Sequence, residues 1–289
     1  MQMIKTCLLL FFLLPLMLFS DPLEKKLSDH IIYNKEGANP IGYLKLSKDN
    51  PIQESTYLYV KFAIEEFKKY KVPFVVFDID SPGGEVFAAL KISQELKKLD
   101  SQDGIPVVAF IDNWALSAGA LMAYSCRFIG ITPDASMGAA EPVLMAEQGK
   151  METASEKVNS ALRAEFANAA RFFGRDPLIA EAMVDKDIIL VIRSGQVCRL
   201  ESETDIITTG KNPDKIISRK GKLLTLDAMQ LMNLGVADFE VPYQPLDAAT
   251  NTGSMIPFSE CLLSKQPFFH QIPDAYLIDY QSSKISFFS

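Results

Sequence analysis

The chain has 289 residues, 48% of them hydrophobic, enough for one large domain or two small ones with a sizeable core, and this composition excludes disorder throughout. A net charge of −7 without any cluster of lysine and arginine excludes a phosphate-binding surface, and with it a nucleic-acid partner. Of the four cysteines, Cys126, Cys198 and Cys261 form an odd set without paired spacing, and Cys7 lies in the first apolar run. The pattern points to neither a disulfide framework nor a zinc site, and no other metal or cofactor is indicated.

In chain order, Met1 to Thr6 hold one lysine, Cys7 to Phe19 are uninterrupted apolar residues, and Ser20 is a small residue before Asp21. This is the pattern of an export signal over residues 1–20, too short to span a bilayer comfortably, which favours a cleaved signal over a retained anchor and predicts a periplasmic or otherwise extracytoplasmic protein, peripheral to the membrane. Residues 21–243 then alternate strand and helix patterns. Gly42 to Leu46 reads as a first strand and Ser55 to Tyr70 as a helix with Leu58, Val60, Phe62, Ala63 and Phe67 at helical spacing. "VPFVVFDID" is a near-continuous apolar strand of the kind buried on both faces of a parallel sheet.

"SPGGEV" turns the chain into an amphipathic helix over Val86 to Leu99. Ile105 to Ile111 repeats the buried-strand pattern, Ser117 to Tyr124 reads as a small-residue helix and Phe128 to Ile131 as a strand. Repeated βα units predict a right-handed α/β core. A long alanine-rich helix is expected over Glu152 to Phe173 and a second over Asp176 to Val184, separated by Gly174 and started by Pro177. Two hairpins are expected to turn at Ser194-Gly195 and Lys220-Gly221, followed by a helix over Leu226 to Leu234. Residues 244–289 show mixed polar residues and scattered aromatics, which predicts an irregular tail without a transmembrane helix.

The chemistry centres on Ser117 in "FIDNWALSAGALMA". The two histidines, His30 and His270, lie outside the α/β core, which argues against a Ser-His-Asp triad. Serine can instead be activated by a neutral lysine; lowering a lysine from about 10.4 to about 7.5 takes roughly 4 kcal/mol of environmental bias, which apolar burial can supply. Lys157 sits among Ala161, Ala164 and Asn168 at helical spacing, at the edge of a stripe of Val158, Ala161, Leu162 and Ala169. The same position equally suits a lysine whose stem covers the alanines while its head stays in water. Lys150 and Lys186, in charged loop-like surroundings, are weaker candidates.

Gly83 and Gly84 can turn backbone N–H groups toward a bound carbonyl, with the N–H of Ala118 as a second donor. They equally suit a plain tight βα turn.

"DIDSPGGEV", then "ALSAGALMAYSCRFIGITPDASMGAAEPV", then a lysine-bearing alanine-rich helix together resemble the Clp protease / signal peptide peptidase A superfamily, and within it the protease domain of NfeD-type membrane-associated proteases. The resemblance runs from about Gly42 to Asp238. It implies a ClpP/crotonase-like fold, a repeated ββα/βα core with a mostly parallel sheet and flanking helices. It also implies a Ser-Lys dyad with Ser117 as nucleophile and Lys157 as general base, 40 residues apart (157 − 117), and oxyanion donors at Gly84, with Gly83 adjacent, and Ala118.

By the same resemblance the substrate is an apolar segment of a peptide or membrane protein, a stomatin-like one included, and the chain self-associates. Trp114 and Leu116 stand where smaller residues are expected and become candidates for lining the substrate cleft. The segment Ile188 to Ile217 is longer than the usual connection.

Two other functions stay open on sequence alone. One is a non-catalytic scaffold that binds a stomatin-like membrane protein; the other is a crotonase-like acyl-CoA hydratase or isomerase, for which Glu141 is the neighbouring acid.

Overall fold

The computed structural model describes residues 21–145, 151–243 and 256–280. The expected export signal, Lys150 and the two ends of the tail lie outside the described residues. Helix α1 (Pro22–Ser28), capped by Asp21, precedes strand β1 (Asn39–Leu46), helix α2 (Glu54–Tyr70) and strand β2 (Val75–Ser81). Helix α3 (Val86–Ser101) leads to strand β3 (Val107–Leu116), short helix α4 (Ala118–Tyr124), and strands β4 (Phe128–Ile131) and β5 (Ser136–Gly138).

Strands β1 to β4 pair in parallel, as their uninterrupted apolar runs require, because both faces of these strands are covered. The expectation of a mostly parallel α/β sheet is met. One face packs on α2, α3, α4 and the later helices through residues such as Phe77, Ile79, Ile111, Leu121 and Phe166; the other packs through Ile41, Val76, Val108, Phe110 and Phe128.

The second half of the chain departs from its expected pattern in three places. Where one helix over Glu152 to Phe173 is predicted, strands β6 (Val143–Met145) and β7 (Met151–Thr153) pair antiparallel first, and helix α5 begins only at Glu156 and ends at Phe172. Helix α6 (Pro177–Val184) follows, with Asp176 accepting the Leu178 N–H. Strands β8 (Ile189–Arg193) and β9 (Gln196–Leu200) form the predicted hairpin, with Ser194 and Gly195 both at positive φ as a type I′ turn needs.

The second predicted hairpin does not form. Strand β10 (Lys215–Ser218) returns to β8, and strand β11 (Thr225–Asp227) pairs with β5 in the main sheet, because Leu226 is a core residue there. Asp227 then caps α7 (Ala228–Asn233), and strand β12 (Phe239–Glu240) adds to β4.

The third departure is the tail. Residues 256–280 are built into the fold: β13 (Ile256–Pro257), two 3₁₀ turns, α8 (Pro267–His270) and β14 (Ala275–Asp279), which pairs in parallel with β1. Phe258, Leu263, Phe268 and Phe269 are buried against the back of the sheet beside Leu27 and Ile31, so both ends of the described chain cover the same face. Among the described residues nine strands join the main sheet.

Candidate active site

Ser117 stands at the carboxyl end of β3, where the chain turns directly into α4. Its backbone has φ 55° and ψ −121°, a left-handed conformation that a residue with a Cβ adopts only where its surroundings impose it. The restraints are visible. The Ser117 N–H donates to the Gly138 carbonyl at 2.8 Å, its carbonyl accepts from the Ala120 N–H at 3.0 Å, and α4 is buried from Ala118 to Tyr124. A sharp strand-to-helix turn of this kind presents the side chain above the sheet edge.

The two glycines have different tasks. A Cβ on Gly83 would lie 2.5 Å from the Ser117 Cβ and 3.0 Å from its Oγ, and Gly83 has φ 114°, so only glycine lets the two turns touch. The Gly83 N–H donates inward to Ser81 Oγ at 3.2 Å, so its place in the site is steric, not that of a free donor. At Gly84 a Cβ would lie 2.2 Å from the Ile52 carbonyl oxygen. Ile52 holds this turn from both sides, donating to the Gly83 carbonyl at 3.1 Å and accepting from the Glu85 N–H at 2.7 Å. The N–H groups of Gly84 and of Ala118, the first residue of α4, have no acceptor among the described residues. An oxyanion formed at the serine would need two such donors.

Next to Ser117 lies a small apolar pocket lined by Val86, Ala118, Leu121, Ala140, Leu162 and Phe166. It is narrow, with about 20 Å³ of space. Trp114 and Leu116 pair with Ser136 and Gly138 of β5, and Trp114 is half-exposed; neither lines this pocket. Phe166 in the pocket lining and Ile52 at the glycine turn carry no signal in the sequence, since each looks like any other apolar residue until the fold brings it to the site.

Lys157 is the second residue of α5 and is exposed, without a hydrogen bond or ion pair among the described residues. The buried side of α5 carries Asn159, Leu162, Phe166 and Ala170, and at 3.6 residues per turn Lys157 points the other way. The expected edge of an apolar stripe is therefore not where this lysine sits. Lys186 donates to Glu141 at 2.7 Å. No histidine approaches Ser117 among the described residues: His30 packs against Phe128 and Arg127 behind the sheet, where burial and the Arg127 charge lower its pKa, and His270 ends α8.

The family model for the N-terminal domain of NfeD1b matches residues 46–203, more than half of the chain and all of Gly83, Gly84, Ser117, Ala118 and Lys157. The chain belongs to the NfeD1b N-terminal domain family. Membrane protein NfeD1b of Bacillus subtilis is 28% identical over 187 residues, 65% of this chain and 36% of that protein. Membrane-bound protease PH1510 of Pyrococcus horikoshii is 30% identical over 120 residues, 40% of this chain and 26% of the relative.

The chain thus spans about a third and about a quarter of these two relatives' lengths. Among solved structures, the serine-to-alanine variant of the 1510-N membrane-bound stomatin-specific protease superposes with a TM-score of 0.53 at 20% identity, covering 71% of this chain and 80% of that one. The lysine-to-alanine variant in complex with a substrate peptide gives the same score and identity, covering 76% of that chain. The NfeD1b-type domain shares this mixed α/β fold.

Proposed function

We propose that this NfeD1b-family domain is a serine endopeptidase with Ser117 as nucleophile and Lys157 as general base. The observation that carries the reading is the strained turn at Ser117, packed directly against the Gly83 turn. Ser117 Oγ adds to the carbonyl carbon of the scissile amide while its proton passes to the lysine amine. The N–H groups of Gly84 and Ala118 hold the resulting oxyanion, the C–N bond breaks, and the lysine returns the proton to the leaving amine. Water then hydrolyses the acyl-enzyme by the same path.

The lysine is supported by its position 40 residues after the serine (157 − 117) and by the relative in which a serine and a lysine were each replaced. The apolar lining of the pocket supports an apolar substrate residue at the cleaved bond. From the names of the relatives we extend to this chain a membrane-protein substrate of the stomatin kind. We further propose an extracytoplasmic location for the chain after export, and self-association. No helix among the described residues is long and apolar enough to cross a membrane.

The test is cleavage of an apolar peptide by the wild type, Ser117→Ala and Lys157→Ala: the reading expects activity from the first alone, and equal cleavage by all three contradicts it. The exposed, unpaired state of Lys157 favours one second reading, a scaffold that keeps the fold and binds a membrane protein without cutting it, for which the wild type is as inert as the variants. The acyl-CoA reading finds less support, because the Glu141 carboxylate it would use is paired with Lys186.

A further inference from the structure

A strand at the edge of a sheet leaves a row of backbone N–H and C=O groups unpaired, and proteins protect such edges with short strands, lysine, proline or bulges. Among the described residues the edges of this fold follow that rule with one exception. In the main sheet β13 has two residues, one of them Pro257, β12 has two and β11 has three. Strands β6 and β7 have three each. In the three-stranded sheet, ordered β10-β8-β9, β10 carries Lys215 and a register shift between Ile216 and Ser218. The exception is β9, five residues in unbroken register with β8 and without lysine or proline. Its one charged side chain, Arg199, is drawn toward Glu181 of α6 at 3.6 Å. The strand lies within Ile188 to Ile217, the segment that is longer than the usual connection.

The turn decides which backbone groups of β9 face outward. The two-residue turn at Ser194 and Gly195 makes Arg193 and Gln196 a hydrogen-bonded pair, and such pairs alternate with non-hydrogen-bonded ones along an antiparallel ladder. Gln196, Cys198 and Leu200 therefore point their backbone groups at β8, while Val197 and Arg199 point theirs away from it. These outward groups have no partner among the described residues.

A second copy of β9 matches them in one register. In an antiparallel pair about a two-fold axis through Cys198, Val197 of each copy lies opposite Arg199 of the other, and the outward N–H and C=O groups of both residues are used. Moving the axis to Arg199 sets two like charges face to face, and moving it to Val197 sets Arg199 opposite Gly195 in the turn. An axis between two residues sets outward groups against inward ones and forms no ladder. In the matching register Cys198 forms a non-hydrogen-bonded pair with its copy, with Cα atoms about 4.5 Å apart, inside the span of about 4.4–6.8 Å that a disulfide bridges. Cys198 is half-buried, whereas Cys126 and Cys261 are buried.

We propose that β9 is an interface between two copies of this chain, paired antiparallel about a two-fold axis at Cys198. The interface gives the proposed self-association a place on the molecule. It does not rest on the endopeptidase reading, and its test uses no cleavage.

The experiment incubates the folded protein with glutathione disulfide and reads the products by mass spectrometry. Two Cys198 thiols give up two protons and two electrons as the S–S bond forms, and the glutathione disulfide leaves as two thiols. The expected product is a covalent dimer linked from Cys198 to Cys198. Arg199→Pro removes an outward N–H from each copy without touching the β8 ladder, and should slow the linkage at least about tenfold, the worth of two lost hydrogen bonds.

Cys198→Asp leaves the backbone unchanged and sets two carboxylates on the axis. By sedimentation between about 10 μM and 1 mM, the range of a weak interface, the reduced wild type should dimerise and Cys198→Asp should stay monomeric. A monomeric reduced wild type, linkage through any other cysteine, Cys198 capped by glutathione without a dimer, or dimers unchanged in both variants overturns the interface.

Discussion

Around Ser117 every neighbour is fixed: β3 and β5 hold its amide, α4 is buried behind it, and Gly83 lies against its side chain with no room for a methyl group. Lys157, in contrast, occupies the first turn of α5 just after the β6–β7 hairpin, exposed and without a partner among the described residues. The nucleophile half of the proposed site is built into the sheet. The base half has no such support, so the cover that a lysine needs to act as a base has to arrive with the substrate.

The largest effect separates the halves directly. Lys157→Ala should lower peptide cleavage by about 10³-fold or more while leaving thermal stability within about 0.5 kcal/mol, since an exposed unpaired side chain supports no packing. A loss of several degrees in Tm would show that the lysine is structurally engaged after all. Phe166→Ala acts on the other half. Burial of this ring at 1% exposure predicts a stability loss of about 3–5 kcal/mol by chemical denaturation, together with a shift toward larger apolar residues at the cleaved bond.

Gly83→Ala combines a strained φ with a contact to Ser117, and should cost about 1–3 kcal/mol for the backbone alone and displace the serine. Full activity in that variant would mean the turn is looser than its geometry implies.

The smallest effect is a pH slope in the strand that carries the glycine turn. Burial pushes the Asp78 carboxyl up, against the opposing hydrogen bond from Tyr43 and the charge of Lys45. The folded state then holds the proton more tightly than the unfolded chain does. Stability therefore falls as pH rises from the unfolded value near 3.9 to the higher folded value, and is level above it. Asp78→Asn should flatten that slope in a denaturation series, whereas an unchanged slope would assign it to Asp112 or Asp279, which burial also raises.

The fixed half was the legible one. The unbroken apolar runs of β2 and β3 could only be central parallel strands, and a serine between such a strand and a small-residue helix marks the turn. The lysine half was misplaced because Val158 and Ala161, apolar in composition, are exposed on α5, whose buried side is set by Asn159, Leu162 and Phe166. The tail eluded pattern reading for a related reason. Phe258, Phe268 and Phe269 project from 3₁₀ turns and a one-turn helix, which leave no period of two or 3.6, and β14 gains its place only by meeting β1.

The most direct measurement is the rate and position of fluorophosphonate labelling, read by peptide mass spectrometry on the wild type and on Lys157→Ala. The account predicts a single adduct on Ser117 in the wild type, formed at least about 100-fold more slowly once the lysine is gone. An adduct on another residue, no adduct at all, or equal rates in the two proteins would contradict it.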